Sequence, residues 1–142
     1  MRLLWVAASF LLLMPSLQAA PNDRSAPQVV VKPVTSTAVT ASGQPITLPQ
    51  KDAHVVVTTY DIGRGANLPE HKHSYARYAY VLVGTLRVTN TETGRSEVYK
   101  PGDFIVEAIG QWHKAANIGR DSVRLLVIDQ MEGEQNNTVL RQ

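Results

Sequence analysis

The chain has 142 residues, 44% of them hydrophobic and 18% charged: enough for one domain with its own core, and unlike a disordered chain. Its 14 Lys and Arg against 12 Asp and Glu leave a net charge of +2 with no basic run, which gives no nucleic-acid footprint. There is no cysteine, so disulfides, thiolate catalysis and Cys-based metal sites are excluded; any metal must be held by histidine, carboxylate, carbonyl or water.

Residues 1–19 read as a secretory signal peptide. Arg2 is the positive start, residues 3–13 are apolar, and Ser16-Leu17-Gln18-Ala19-Ala20 supplies small residues for cleavage after Ala19. The apolar run is short for a membrane span. A periplasmic or secreted protein, with no membrane attachment after cleavage, is expected.

Residues 20–45 read as an N-terminal tail and leading strands. The stretch to residue 28 is polar and proline-rich, and β-branched runs follow at 29–31 and 34–40, up to a turn at Ser42-Gly43-Gln44-Pro45. The barrel is expected over 46–132. Strands are predicted at 54–62, over 75–90 with a corner at Gly84, and at 96–99, 104–107, 113–117 and 122–129. Residues 133–142 read as a polar C-terminal tail that frays; its Asn136-Asn137-Thr138 fits a glycosylation sequon, a pattern common by chance. Many short strands with Gly, Pro, Asn and Asp between them, and no helical periodicity, predict an all-β sandwich or barrel. Val81, Val83, Leu86, Val88, Ile105, Val106 and Leu125 to Ile128 are the expected core.

The chemistry concentrates in His71-Lys72-His73. Side chains at i and i+2 of a strand share a face, so both imidazoles project together and could meet at one metal ion. Alone, such a pair is more often two solvated surface histidines. The wider pattern is stronger. Gly65 is followed after five residues by His71, then His73, Arg77 and Gly84; Gly102 is followed after five residues by Ala108, then Gly110, His113 and Asn117. These runs resemble the two motifs of the cupin superfamily, G-x5-H-x-H-x3-E-x6-G and G-x5-P-x-G-x2-H-x3-N. The resemblance reaches from the strand at His54 to Asp129. It implies a small double-stranded β-helix, a jelly-roll barrel. It also implies one divalent metal ion (Zn, Fe, Mn, Ni or Cu) held by His71, His73 and His113.

The chain departs from the motifs at two positions. The motif proline is Ala108, and the acidic fourth ligand is Arg77, whose guanidinium has no lone pair to offer. An arginine aimed into the barrel needs an anion. Glu107 is the candidate: it either pairs with Arg77 or supplies the missing carboxylate as a fourth ligand. Otherwise Arg77 lies outside the barrel with its stem over Tyr75 or Tyr80. Arg77 and Glu107 are also the candidate catalytic residues, with Arg77 able to grip an anionic substrate. Tyr75, Tyr80 and Trp112 are candidates to line a pocket, or else belong to core and rim.

Three functions fit. One is a metal-dependent enzyme on a small molecule, a dioxygenase, isomerase, decarboxylase or lyase. A second is a non-catalytic protein that captures a small ligand or metal. A third is a structural barrel with a vestigial site. A homodimer through an exposed barrel edge, with strands in 29–40 supplying the contact, is a further expectation of the resemblance.

Overall fold

The computed structural model describes residues 28–142; the signal peptide expected at 1–19 and the start of the tail lie outside the described residues. Residues Lys32–Gln142 form one compact unit. The strands are β1 (Ala53–Ile62), β2 (Asn67–His73), β3 (Arg77–Val83), β4 (Leu86–Asn90), β5 (Ser96–Tyr99), β6 (Phe104–Val106), β7 (His113–Asn117), β8 (Val123–Glu132) and β9 (Thr138–Leu140). No helix occurs among the described residues. The strands form a four-stranded sheet, β1-β8-β3-β6, and a five-stranded sheet, β5-β4-β7-β2-β9, with antiparallel pairing throughout. This is the all-β double-stranded β-helix that the motifs implied.

Alternation decides what each strand buries. β8 turns Val123, Leu125, Val127, Asp129 and Met131 inward; β3 turns Arg77, Ala79 and Val81; β7 turns His113, Ala115 and Asn117. Both sheets feed one apolar cluster: Ile62, Ala79, Val81, Ile105, Val123, Leu125 and Val127 from one, Leu86 and Ala115 from the other. Each fully buried valine contributes roughly 1.5–3 kcal/mol. The apolar half of the barrel therefore supplies stability, and the inward polar residues of β2, β3, β7 and β8 are left to build a site.

Between β3 and β4 the chain turns at Gly84 with φ +86°. A Cβ there would lie 2.7 Å from the Ser122 carbonyl oxygen and 2.8 Å from Val123 Cα, so only glycine fits both the backbone conformation and the space.

The structure corrects the sequence reading in several places. Residues 28–52 contain no strand, only one bridge between Val39 and Pro45. β-branched residues alone do not make a strand without a partner edge, and Pro33 has no N–H to give to one. The polar residues 133–142 are not a free tail: β9 pairs with β2 and Asn137 is buried. β2 itself was not predicted as a separate strand; a register shift between Leu68 and His71 breaks its pattern. Val83 is exposed at the Gly84 corner, and Leu126 and Ile128 face outward, opposite Thr59 and Val57 on β1.

Candidate metal centre

Strand geometry assembles the site. His71 and His73 share the inner face of β2, and the β2–β7 register sets His113 directly opposite His71. The three rings converge with centroids 4.4–5.0 Å apart. Glu107 arrives from the segment after β6. Its backbone N–H donates to the Arg77 carbonyl at 2.9 Å, and three residues on Gly110 N–H donates to the His73 carbonyl at 2.7 Å. One ligand atom from each of His71, His73, Glu107 and His113 lies within 4.8 Å of the other three.

The hydrogen bonds fix which ring nitrogens face that point. His71 Nδ1 lies 2.7 Å from the Pro69 carbonyl, His113 Nδ1 3.0 Å from the Gln111 carbonyl, and His73 Nδ1 3.1 Å from the Asn137 carbonyl. A carbonyl only accepts, so each Nδ1 carries the proton and each Nε2 is left for the centre. Metal-bound histidines typically have their second nitrogen held in this way. The Nε2 atoms of His73 and His113 both sit 3.0 Å from Glu107 Oε2.

These contacts set the charges. Burial alone would push the Glu107 carboxyl up, but the hydrogen bonds from His113 and His73 outweigh it and hold the group far below the ordinary carboxylate range. Burial likewise disfavours charge on His113, yet its bond to Glu107 raises it above the usual imidazole value. His71 has no carboxylate partner, and burial lowers it to about 4. A carboxylate only accepts, so the bonds to Glu107 are made by Nε2 protons that a metal ion would displace; the set it would meet is an anionic oxygen and three imidazoles, a donor combination that fits zinc and the other transition metals.

Arg77 is neither outside the barrel nor paired with the Glu107 side chain. It is buried, and it donates from Nε and Nη2 to the two carboxylate oxygens of Asp129, and from Nη2 to Thr138 Oγ1 at 2.9 Å. The ion pair outweighs the cost of burial and holds Arg77 firmly charged. Asp129 in turn accepts from Asn137 Nδ2 at 2.6 Å, and Asn137 Oδ1 accepts from Tyr75 N–H at 2.8 Å. The cation at the motif's acidic position is therefore spent on structure: through Asp129 and Asn137 it braces the carbonyl that orients His73.

A cavity of about 360 Å³ opens onto Glu107 and His113. Its walls are Val88, Ile105, Tyr99 and Ala108, with Ala41 and Ser42 of the N-terminal segment on one side. That segment is tied down by Gln44, whose amide donates to the Ile109 carbonyl at 2.8 Å and accepts from Ile109 N–H at 3.0 Å. The predicted pocket residues lie elsewhere. Tyr80 lines an outer groove with Phe104, Leu126 and Ile128. Trp112 packs with two cations, Lys72 Nζ at 4.7 Å and Arg141 Cζ at 5.4 Å from its ring centroid. Tyr75 reaches the site only through its backbone. Asp129 had a readable signal, an acid at a core position of β8; Asn137, Gln44 and Tyr99 had none comparable.

Residues 58–129 match the family model described as Cupin domain. No curated protein matches the chain. Among solved structures, the polyketide cyclase RemF from Streptomyces resistomycificus is 25% identical with a TM-score of 0.53, over 66% of this chain and 65% of that one. The chain thus spans less than two thirds of that cyclase. A conserved protein with a double-stranded β-helix domain from Klebsiella pneumoniae is 22% identical with a TM-score of 0.52, over 78% of this chain and 84% of that one. An oxalate decarboxylase from Lactobacillus farciminis, in a formate complex, is 20% identical with a TM-score of 0.51, over 61% and 26% of the two chains. With its motif spacings, its two-sheet barrel and a family match over half its length, this chain belongs to the cupin family.

Proposed function

We propose that this protein is an exported cupin that binds one divalent metal ion through His71, His73 and His113, with Glu107 as the fourth ligand in place of the motif acid. It acts on or binds a small organic molecule in the adjoining cavity. One observation carries the metal reading: all three Nδ1 atoms are capped by backbone carbonyls, which leaves three Nε2 atoms and a carboxylate around one point. When bound, the metal supplies a Lewis acid that polarises a substrate oxygen or activates water or O₂. The chain's own residues hold the donors in register, keep Glu107 ionised and give the ligand an apolar wall. The cyclase likeness supports a small organic substrate. The leader-like residues 1–19 support a periplasmic or secreted location. The open edge of β1, with Val55 and Val57 exposed, supports a homodimer.

Capture of a ligand without turnover is the second reading. It is favoured by one feature of the cavity: beyond Glu107 and His113, its titratable groups Arg95, Glu97 and Tyr99 are bonded to one another.

The test is elemental mass spectrometry of protein purified without an affinity tag, beside a His71→Ala/His73→Ala variant. About one metal per chain in the wild type, lost in the variant, is the expected result. A wild type that carries no metal and takes up none of the five candidates would overturn the reading.

A further inference from the structure

The cavity beside the metal centre has polar groups at its rim, but they are already used. Glu97 accepts from Arg95 Nη2 at 2.7 Å through one oxygen and from the Tyr99 hydroxyl at 2.6 Å through the other. Asn90 bonds Gln111 through its amide nitrogen and the Glu92 and Thr93 N–H groups through its oxygen. Ser42 bonds Gln44. Arg95 is the one Lys or Arg side chain among the described lining residues, and Arg77, the other candidate to hold an anion, is bound to Asp129 outside the lining.

What remains for a ligand is an apolar wall and one polar end. We propose that the cavity takes a one-ended organic molecule: a ring or branched chain against Val88, Ile105 and Tyr99, with a single oxygen donor at Glu107 and His113 and no charge at its far end. A second carboxylate or a phosphate would lose its hydration against apolar walls without gaining a cation. Glu97 is the specificity-determining residue, because it neutralises Arg95 and occupies the Tyr99 hydroxyl. The placement of the oxygen donor rests on the metal reading proposed above; the exclusion of a charged far end does not.

The probes are 4-ethylbenzoate and terephthalate, which share a ring and a carboxylate head and differ at the far end. Binding is followed by NMR shifts of Val88 and Ile105 in the full protein, with and without Zn²⁺. The expected result is 4-ethylbenzoate binding at least about tenfold more tightly than terephthalate, and a narrower gap in Glu97→Gln, where Arg95 is released. Equal or tighter binding of terephthalate, no shift with either probe in zinc-loaded protein, or an unchanged gap in Glu97→Gln would overturn it. Zinc uptake is measured separately by calorimetry. Its failure would remove the metal reading; 4-ethylbenzyl alcohol against 4-(hydroxymethyl)benzoate, whose hydroxyl head can donate to Glu107, then decides this one in zinc-free protein by the same preference for the uncharged far end.

Discussion

Arg77 and Asp129 stand directly opposite each other on β3 and β8 and make a two-point ion pair, Nε to Oδ1 at 2.7 Å and Nη2 to Oδ2 at 2.9 Å, with both residues 5% exposed. Each charge is tolerable only because of the other. Asp129→Ala is expected to destabilise the protein by about 3–5 kcal/mol, since it strands a buried guanidinium. Arg77→Met/Asp129→Leu removes both charges and is expected to lose much less. Urea denaturation of both variants and the wild type checks this; equal losses would mean that the pair acts through packing alone. Restoring the motif acid by Arg77→Glu sets two carboxylates face to face and is expected not to improve metal uptake.

The brace from Asn137 to His73 is separately testable. Asn137→Ala keeps the backbone carbonyl that accepts from His73 Nδ1 but removes the side-chain bonds to Asp129 and Tyr75. Such outer partners of a metal site are worth about tenfold or more in affinity. Zinc affinity of the variant is expected to fall by that factor, with a shifted imidazole nitrogen resonance for His73. An unchanged affinity would show that β9 pairing alone holds the carbonyl.

Metal uptake is expected to depend on pH through His113. Its pKa is raised by the bond to Glu107, so below that raised value the ring of the metal-free protein carries a second proton and must lose it to become a ligand. Zinc affinity should therefore climb with pH up to the raised value and flatten above it. His71, lowered to about 4, is already neutral there and adds nothing. Calorimetry in two buffers of different ionisation enthalpy should find protons released on zinc binding below the raised value. None released would mean that His113 is neutral before loading.

Gly84→Ala is expected to cost roughly 3 kcal/mol or more, from a left-handed backbone and a clash with the Ser122–Val123 backbone. Thermal melting reads it directly. A loss under about 1 kcal/mol would mean that the β3–β4 corner shifts to make room.

The histidines were legible because motif spacing and strand parity both encode them. Glu107 was legible as a carboxylate close to His113, but its aim was not, because the irregular segment 107–112 breaks the two-residue period between β6 and β7. Asp129 lies in step with Val123, Leu125 and Val127, and an acid at that parity calls for a buried cation; Arg77 was matched instead to the nearer Glu107. The Asn137 contribution was hidden because a backbone carbonyl has no side-chain signature, and the polar composition of 133–142 points toward solvent. Tyr99 ends a four-residue strand, too short for alternation to show which face is covered.

Two segments that complete the site lie beyond residues 58–129, the span matched by the family model. The Gln44 clamp brings in one wall of the cavity from upstream, and Asn137 braces a histidine from downstream. The shared barrel therefore carries the donor atoms, while the appended ends carry part of the ligand's mould. Chains with the same donors and different ends would present differently shaped cavities, and exchanging the residues around Gln44 is a compact way to reshape this one without touching the four candidate donors.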